Sequence, residues 1–300
     1  MYDLTSPAVV RDLLRRHNLR PRKGLGQNFL VDANIANKIV MAAELANTDA
    51  VIEIGPGLGV LTSRLAQSAG LVAAVEIDRH LVPVLGDVLK GYADRAHIIC
   101  ADALKVDLDD VIHAASGGRF GKDALPYKLV ANLPYYITTP LVMRFLEAGY
   151  NINGAVIMVQ EEVARRMVAV SGSSDFGALS VGVQFYARAE VAFRVPRTVF
   201  YPCPEVGSAV VRLLIRDTPA VEVPDRAKFF DIVRAAFGQR RKTLANALAG
   251  AGARLGPSKE EWAALANNAG INHGARGETL GLAEFARLAA ELDRWYNTKQ

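Results

Sequence analysis

The sequence predicts an α/β fold, a doubly wound parallel sheet with an antiparallel hairpin at one edge, followed by a small all-helical C-terminal domain. Apolar strand-like runs alternate with amphipathic helical stretches from residue 51 to about residue 160, the signature of a parallel sheet with crossover helices. The first run, Val51-Ile52-Glu53-Ile54, breaks into Gly55-Pro56-Gly57-Leu58-Gly59 ahead of a helix carrying Leu61, Leu65 and Ala66, the strand, glycine turn and helix of a Rossmann-like nucleotide site. Beyond Asp217-Thr218-Pro219 and Pro224 the pattern becomes wholly helical.

The elements follow in chain order. Residues 1–23 form a basic helical arm with Val9, Val10, Leu13 and Leu14 on one face, ending at Pro21, and Asp32 caps a helix running to Glu44. Strands follow at 51–54, Leu71–Val75, His97–Cys100, Tyr127–Ala131 and Gly154–Val159, then a helix over Phe176–Tyr186. Ala189–Val195 and Ser208–Ile215 are two final strands, and the short Pro-rich link between them requires antiparallel pairing. After the linker, Phe229, Phe230, Val233, Ala236 and Phe237 make one apolar stripe, with further helices near 241–250, 259–268 and 281–295. The expected domains are thus the arm 1–23, a sheet domain 24–216 and a helical domain 217–300.

With 51% hydrophobic and 22% charged residues the chain has the composition of a globular protein, not a disordered one. It shows no secretory leader and no apolar run approaching 18 residues, so cytoplasmic localisation without membrane contact is expected. Cys100 and Cys203 are too far apart for a metal knuckle, and Cys100, inside a strand-like run, reads as a buried thiol. Histidines 17, 80, 97, 113 and 273 have no ligand spacing, and no metal is expected. The net charge of +4 is unevenly placed: residues 1–24 carry +4 and residues 217–300 carry +2, leaving −2 for the body between. Arg240-Arg241-Lys242 fits either a set of phosphate contacts for a nucleic acid or a plain solvated surface.

The glycine turn narrows the ligand. A dinucleotide fingerprint requires a sixth-position glycine where this chain has Val60, and glycine falls instead at 55, 57 and 59. That spacing suits S-adenosylmethionine, whose amino-acid end carries no phosphate. Glu76 ends the second strand-like run, about 20 residues past the glycines, where an acid accepts from both ribose hydroxyls. Asp102 follows the third run and can accept from the adenine amine. Asn132-Leu133-Pro134-Tyr135 closes the fourth. The Asn132 side chain and the next carbonyl can accept from one planar amine, Pro134 stiffens the turn, and Tyr135 can stack on the ring that carries the amine. Alone, the tetrapeptide could be a simple strand-ending turn. Gly55, Gly57, Glu76, Asp102 and Asn132 at successive strand ends of one parallel sheet instead line a single crevice.

At this point the chain resembles the bacterial small-subunit (16S) ribosomal RNA adenine dimethyltransferases. Gly24-Leu25-Gly26-Gln27-Asn28-Phe29-Leu30, the Gly55 turn, Val75-Glu76-Ile77-Asp78, Ala101-Asp102-Ala103-Leu104, Asn132 to Pro140, Phe200-Tyr201-Pro202-Cys203-Pro204-Glu205-Val206 and Phe237 to Leu244 occur in the family's order. Ala101 stands where the family often has glycine, and Glu205 where lysine is usual. The resemblance implies an enzyme that uses S-adenosylmethionine to place two methyl groups on each of two adjacent adenines near the 3′ end of 16S ribosomal RNA. It implies that Asn28 and Leu30 close over the cofactor, that Phe200 faces the base opposite Tyr135, and that Arg240, Arg241 and Lys242 contact RNA. The implied setting is a monomer acting on ribosomal RNA within a 30S particle, as part of ribosome biogenesis. A macrolide-resistance 23S methyltransferase shares the framework, but the Phe237–Leu244 segment and the helical tail favour the small-subunit enzyme. A DNA adenine methyltransferase would carry Pro-Pro before the aromatic. A non-catalytic assembly factor is the remaining alternative, and the intact Glu76, Asp102, Asn132 and Tyr135 argue against it.

Overall fold

The computed structural model describes residues 3–239, 241–252 and 255–299, with the side chain of Lys23 left aside. Its strands are β1 (Phe29–Leu30), β2 (Ala50–Ile54), β3 (Leu71–Glu76), β4 (Ala96–Cys100), β5 (Tyr127–Asn132), β6 (Ile152–Gln160), β7 (Ala187–Val195), β8 (Phe200–Tyr201) and β9 (Ser208–Ile215). Its helices are α1 (Pro7–Arg16), α2 (Ala33–Ala42), α3 (Val60–Ser68), α4 (Val82–Val88), α5 (Leu108–Ala115), α6 (Thr138–Glu147), α7 (Glu161–Val168), α8 (Ala178–Tyr186), α9 (Arg226–Gly238), α10 (Leu244–Ala249), α11 (Lys259–Asn268) and α12 (Leu282–Lys299).

Local signals account for the helix starts. Pro7 opens α1, where a missing N–H costs nothing, and Asp32 caps α2 by accepting from the Ile35 N–H at 2.9 Å. Asp225 does the same for α9 at Lys228, and Ser258 with Glu261 forms a reciprocal capping box for α11. Gly59 enters α3 at φ 87°, a conformation disfavoured for any residue with a Cβ.

The main sheet has the order β4-β3-β2-β5-β6-β9-β7. β4, β3, β2, β5 and β6 are parallel, and β9 runs antiparallel to β6 from Gly154 opposite Leu214 to Gln160 opposite Ser208. Strands buried on both faces must be continuously apolar, and β2 is buried at all five positions. The order reverses between β2 and β5, which puts a crevice beyond the carboxyl ends of those strands. β1 and β8 make a separate two-stranded antiparallel sheet, pairing Phe29 with Tyr201 and Leu30 with Phe200, a long-range pairing that neither run announces.

Two compact units emerge, residues 1–164 with 189–215 and residues 165–188 with 216–300. This departs from the contiguous division at 216/217. α8 belongs to the helical unit because its fully buried Phe185 packs against Phe229 and, edge-on, Phe230, at centroid distances of 5.1 and 5.3 Å, leaving the chain to return to the sheet through β7. The basic arm is not set apart either: Val10, Leu13 and Leu14 are buried in the core of the sheet unit. Cys100 is exposed, contrary to the expected buried thiol, because it sits at the very end of β4.

Candidate active site

The crevice at the strand ends encloses about 1020 Å³ of empty space, its open mouth included. Gly55, Gly57, Glu76, Asp102, Asn132, Leu133, Pro134 and Tyr135 all line it, as do Asn28 and Leu30. The structure therefore brings together the residues singled out for the cofactor and, Phe200 apart, those singled out for the base.

The end of the crevice beside the glycine turn is built around Glu76, at the end of β3 and 5% exposed. Its Oε2 accepts from the Gly57 N–H at 3.3 Å and its Oε1 from the Asp78 N–H at 2.8 Å, so the glycine turn and the acid form one unit. Burial raises the Glu76 carboxyl above its ordinary value; these backbone N–H groups oppose the shift and the Asp78 carboxylate adds to it. Gly57 sits at φ 58°, and a Cβ there would come within 3.1 Å of the Phe29 ring, so the turn needs glycine for its conformation and its space. Asp102 Oδ1 accepts from the Leu104 N–H at 2.9 Å, which fixes its carboxylate at the crevice edge.

Glu53, one residue before the end of β2, also lines the crevice and is 1% exposed. Its Oε2 has no hydrogen-bond partner among the described residues. Burial pushes its carboxyl up to about 8, with the Glu76 charge adding to the shift and the nearby Thr62 hydroxyl opposing it. A buried, under-satisfied carboxyl in a ligand crevice is the group a cationic ligand would engage. The sequence carried a signal that went unused: Glu53 is the lone acid inside an apolar run. Together with the Gly57 cradle and Glu76, it makes the crevice fit S-adenosylmethionine, whose ribose needs acceptors and whose sulfonium and ammonium favour a carboxylate.

At the other end, β5 delivers Asn132, whose Nδ2 donates to the Asn28 carbonyl at a long 3.5 Å, leaving its Oδ1 to accept from elsewhere. The Pro134 carbonyl accepts from the Thr138 hydroxyl at 3.0 Å and the Ile137 N–H at 3.2 Å, tying the tetrapeptide to the start of α6. The Tyr135 hydroxyl meets Ser208 Oγ at 2.8 Å, and burial raises that phenol above its ordinary value. Ser208, at the start of β9, is fully buried. No local pattern marks it, because its partner lies 73 positions away.

Phe200 stands apart from these residues. Among the described residues that line the crevice it is absent; it is 4% exposed and packed in the core opposite Leu30. Arg241 and Lys242 are exposed in the turn between α9 and α10, and Arg240 lies outside the described residues.

Comparison with known proteins agrees with this geometry. The family model described as ribosomal RNA adenine dimethylase matches residues 18–293. A ribosomal RNA small subunit methyltransferase A from Pelotomaculum thermopropionicum is 55% identical over 96% of this chain and 97% of its own. Among solved structures, a dimethyladenosine transferase from Plasmodium falciparum shares the fold with a TM-score of 0.73 at 24% identity, covering 89% of this chain and 98% of that one. The 23S rRNA methyltransferase ErmE aligns with a TM-score of 0.63 at 28% identity, over 89% of this chain and 100% of that one. With the family model spanning most of its length, the chain belongs to the ribosomal RNA adenine dimethylase family.

Proposed function

We propose that the crevice dimethylates the exocyclic amine of adenine in small-subunit ribosomal RNA, with S-adenosylmethionine as the methyl donor. The observation that carries this reading is one crevice lined both by the Glu76–Gly57 unit and by Asn132-Leu133-Pro134-Tyr135. Bound S-adenosylmethionine supplies an electrophilic methyl group. The adenine amine is a weak nucleophile because its lone pair is delocalised into the ring. Asn132 Oδ1 and the Leu133 carbonyl accept hydrogen bonds from its N–H groups and hold the nitrogen toward tetrahedral geometry, an effect of positioning and electrostatics. Tyr135, steadied by Ser208, supplies the stacking face for a base taken out of its stack. After transfer the nitrogen is cationic and acidic, so water accepts its proton and no strong base is needed. Glu76 accepts from the ribose hydroxyls, Asp102 from the adenine amine, and Glu53 offers negative charge to the cationic end of the cofactor. Asn28 and Leu30 close the crevice from the other side.

The fold fits a small-subunit and a 23S enzyme alike, as the ErmE alignment makes plain. The small-subunit reading rests on the much higher identity to a relative of that name. The finer parts of the reading are a pair of adjacent adenines near the 3′ end, a 30S particle as substrate, a monomeric enzyme without metal, a cytoplasmic setting and RNA contacts through Arg240, Arg241 and Lys242. No helix among the described residues is long and apolar enough to cross a membrane, which accords with that setting. Labelled methyl transfer to unmethylated small subunits, followed by mapping of the modified nucleotides, tests the whole. Label confined to large-subunit RNA would overturn it.

A further inference from the structure

The segment that closes the crevice is fastened at both ends. At its far end Phe29 and Leu30 pair with Tyr201 and Phe200, and the Val31 N–H donates to the Val199 carbonyl at 2.8 Å. At its near end Gln27 makes two bonds: its Oε1 accepts from the Arg22 N–H at 2.8 Å and its Nε2 donates to Asp78 Oδ2 at 2.9 Å. The Asp78 side chain is 4% exposed and also accepts at Oδ1 from the Arg22 guanidinium at 3.3 Å and from the His80 N–H at 3.1 Å. The Asp78 N–H in turn donates to Glu76. One buried residue thus joins the closing segment to the acid that would hold the ribose, its carboxylate bonded to Gln27 and its backbone N–H to Glu76.

We propose that Gln27 and Asp78 form a latch that holds the Asn28–Leu30 strap over the crevice and fixes the Glu76 carboxylate, making both of them positioning residues for methyl transfer. The inference rests on the cofactor reading of the crevice. Neither side chain needs to touch the reacting atoms: Asp78 acts through Glu76 and Gln27 through Asn28. Of Asp78's side-chain partners, Gln27 matters more than Arg22, because the Arg22 side chain is 53% exposed and its ion pair is screened by water. An unlatched strap would have to be ordered by the incoming cofactor, at the expense of affinity.

The test is a double-mutant cycle read by calorimetric titration of the intact protein with S-adenosylmethionine. Gln27→Glu puts carboxylate on carboxylate, and Asp78→Asn turns an NH2 donor either on the Gln27 Nε2 donor or on the Arg22 and His80 donors, because all of the Asp78 carboxylate's partners donate to it. Each should weaken cofactor binding by about 10- to 100-fold, the range for losing a hydrogen bond to a charged group. The pair Gln27→Glu with Asp78→Asn restores a donor facing an acceptor and should recover most of the loss. In turnover assays the singles should raise the cofactor KM while kcat at saturation stays within about threefold, since only ordering of the site is impaired. Thermal melts with unchanged midpoints keep a folding defect from passing as a latch effect; if a single variant melts early, Arg22→Ala and Gln27→Ala repeat the comparison. Wild-type affinity in both singles, or no recovery in the pair, would overturn the latch while leaving the enzyme assignment standing. Failure of the wild-type protein to bind S-adenosylmethionine would overturn the cofactor reading and the latch with it.

Discussion

The sheet unit and the helical unit solve opposite problems. Among the described residues, every buried carboxylate (Glu53, Glu76, Asp78 and Asp109) belongs to the sheet unit. The helical unit is held instead by rings: Phe185, Phe229 and Phe230 contact one another at 5.1–5.3 Å, and Phe237 lies 5.8 Å from Phe176 and 5.9 Å from Phe285. Burying a carboxylate is costly, so a protein retains several in one place only where backbone N–H groups, partner charges or a ligand compensate them. The contrast locates the chemistry in the sheet unit and leaves the helical unit with apolar packing inside and charge outside.

The largest expected effect falls on the helical unit. Phe229 is fully buried among other rings, so Phe229→Ala should cost about 3–5 kcal/mol of stability. Denaturant titration measures it, and calorimetry should find cofactor affinity in the surviving folded fraction unchanged. A parallel loss of affinity would break the division of labour between the units.

Asn132→Ala should keep the fold and most cofactor affinity while methyl transfer falls by about two to three powers of ten, the scale for one preorganised polar contact. Single-turnover assays with both substrates saturating separate this from binding. Near-normal turnover would reduce the tetrapeptide to a turn.

Glu53 sharpens the comparison through pH. Its folded-state value of about 8 lies above the ordinary glutamate value of 4.5, so the folded protein holds the proton more tightly than the unfolded chain. The resulting stability is present in full below pH 4.5 and is lost as pH rises through about 8. Glu53→Gln should remove that decline, gaining up to a few kcal/mol at the alkaline end, on the order set by the pKa difference. Melting curves from pH 5 to 9 check it. Cofactor binding near neutral pH should release a proton in the wild type and not in the variant, visible as buffer-dependent binding enthalpy. A pH slope shared by both proteins would show that another group carries it.

The smallest effect is expected at Arg241 and Lys242, exposed beyond α9. Neutralising both should leave cofactor affinity alone and flatten the log–log salt dependence of RNA binding by up to about 1.4 for single-stranded contacts. An unchanged slope would assign the pair to plain solvated surface.

The sequence by itself determined the parallel sheet, the hairpin edge and the glycine-turn side of the crevice, because those signals are local. Glycines at 55, 57 and 59 force a turn, apolar runs force buried strands, and acids at successive strand ends converge once the sheet is parallel. Tertiary structure alone decided what depends on distant partners. Residues 165–188 join the helical unit because Phe185 finds Phe229 and Phe230 far along the chain. Phe200 is buried because β8 pairs with β1, some 170 residues away. Ser208 reaches Tyr135 across 73 positions, and Asp78 reaches Gln27 across 51. Side-chain hydrogen bonds between remote segments leave no periodicity, so no pattern in the chain could announce them. Glu53 stands between the two cases: its position is plain in the sequence, but only burial without a partner for Oε2 reveals its charge state.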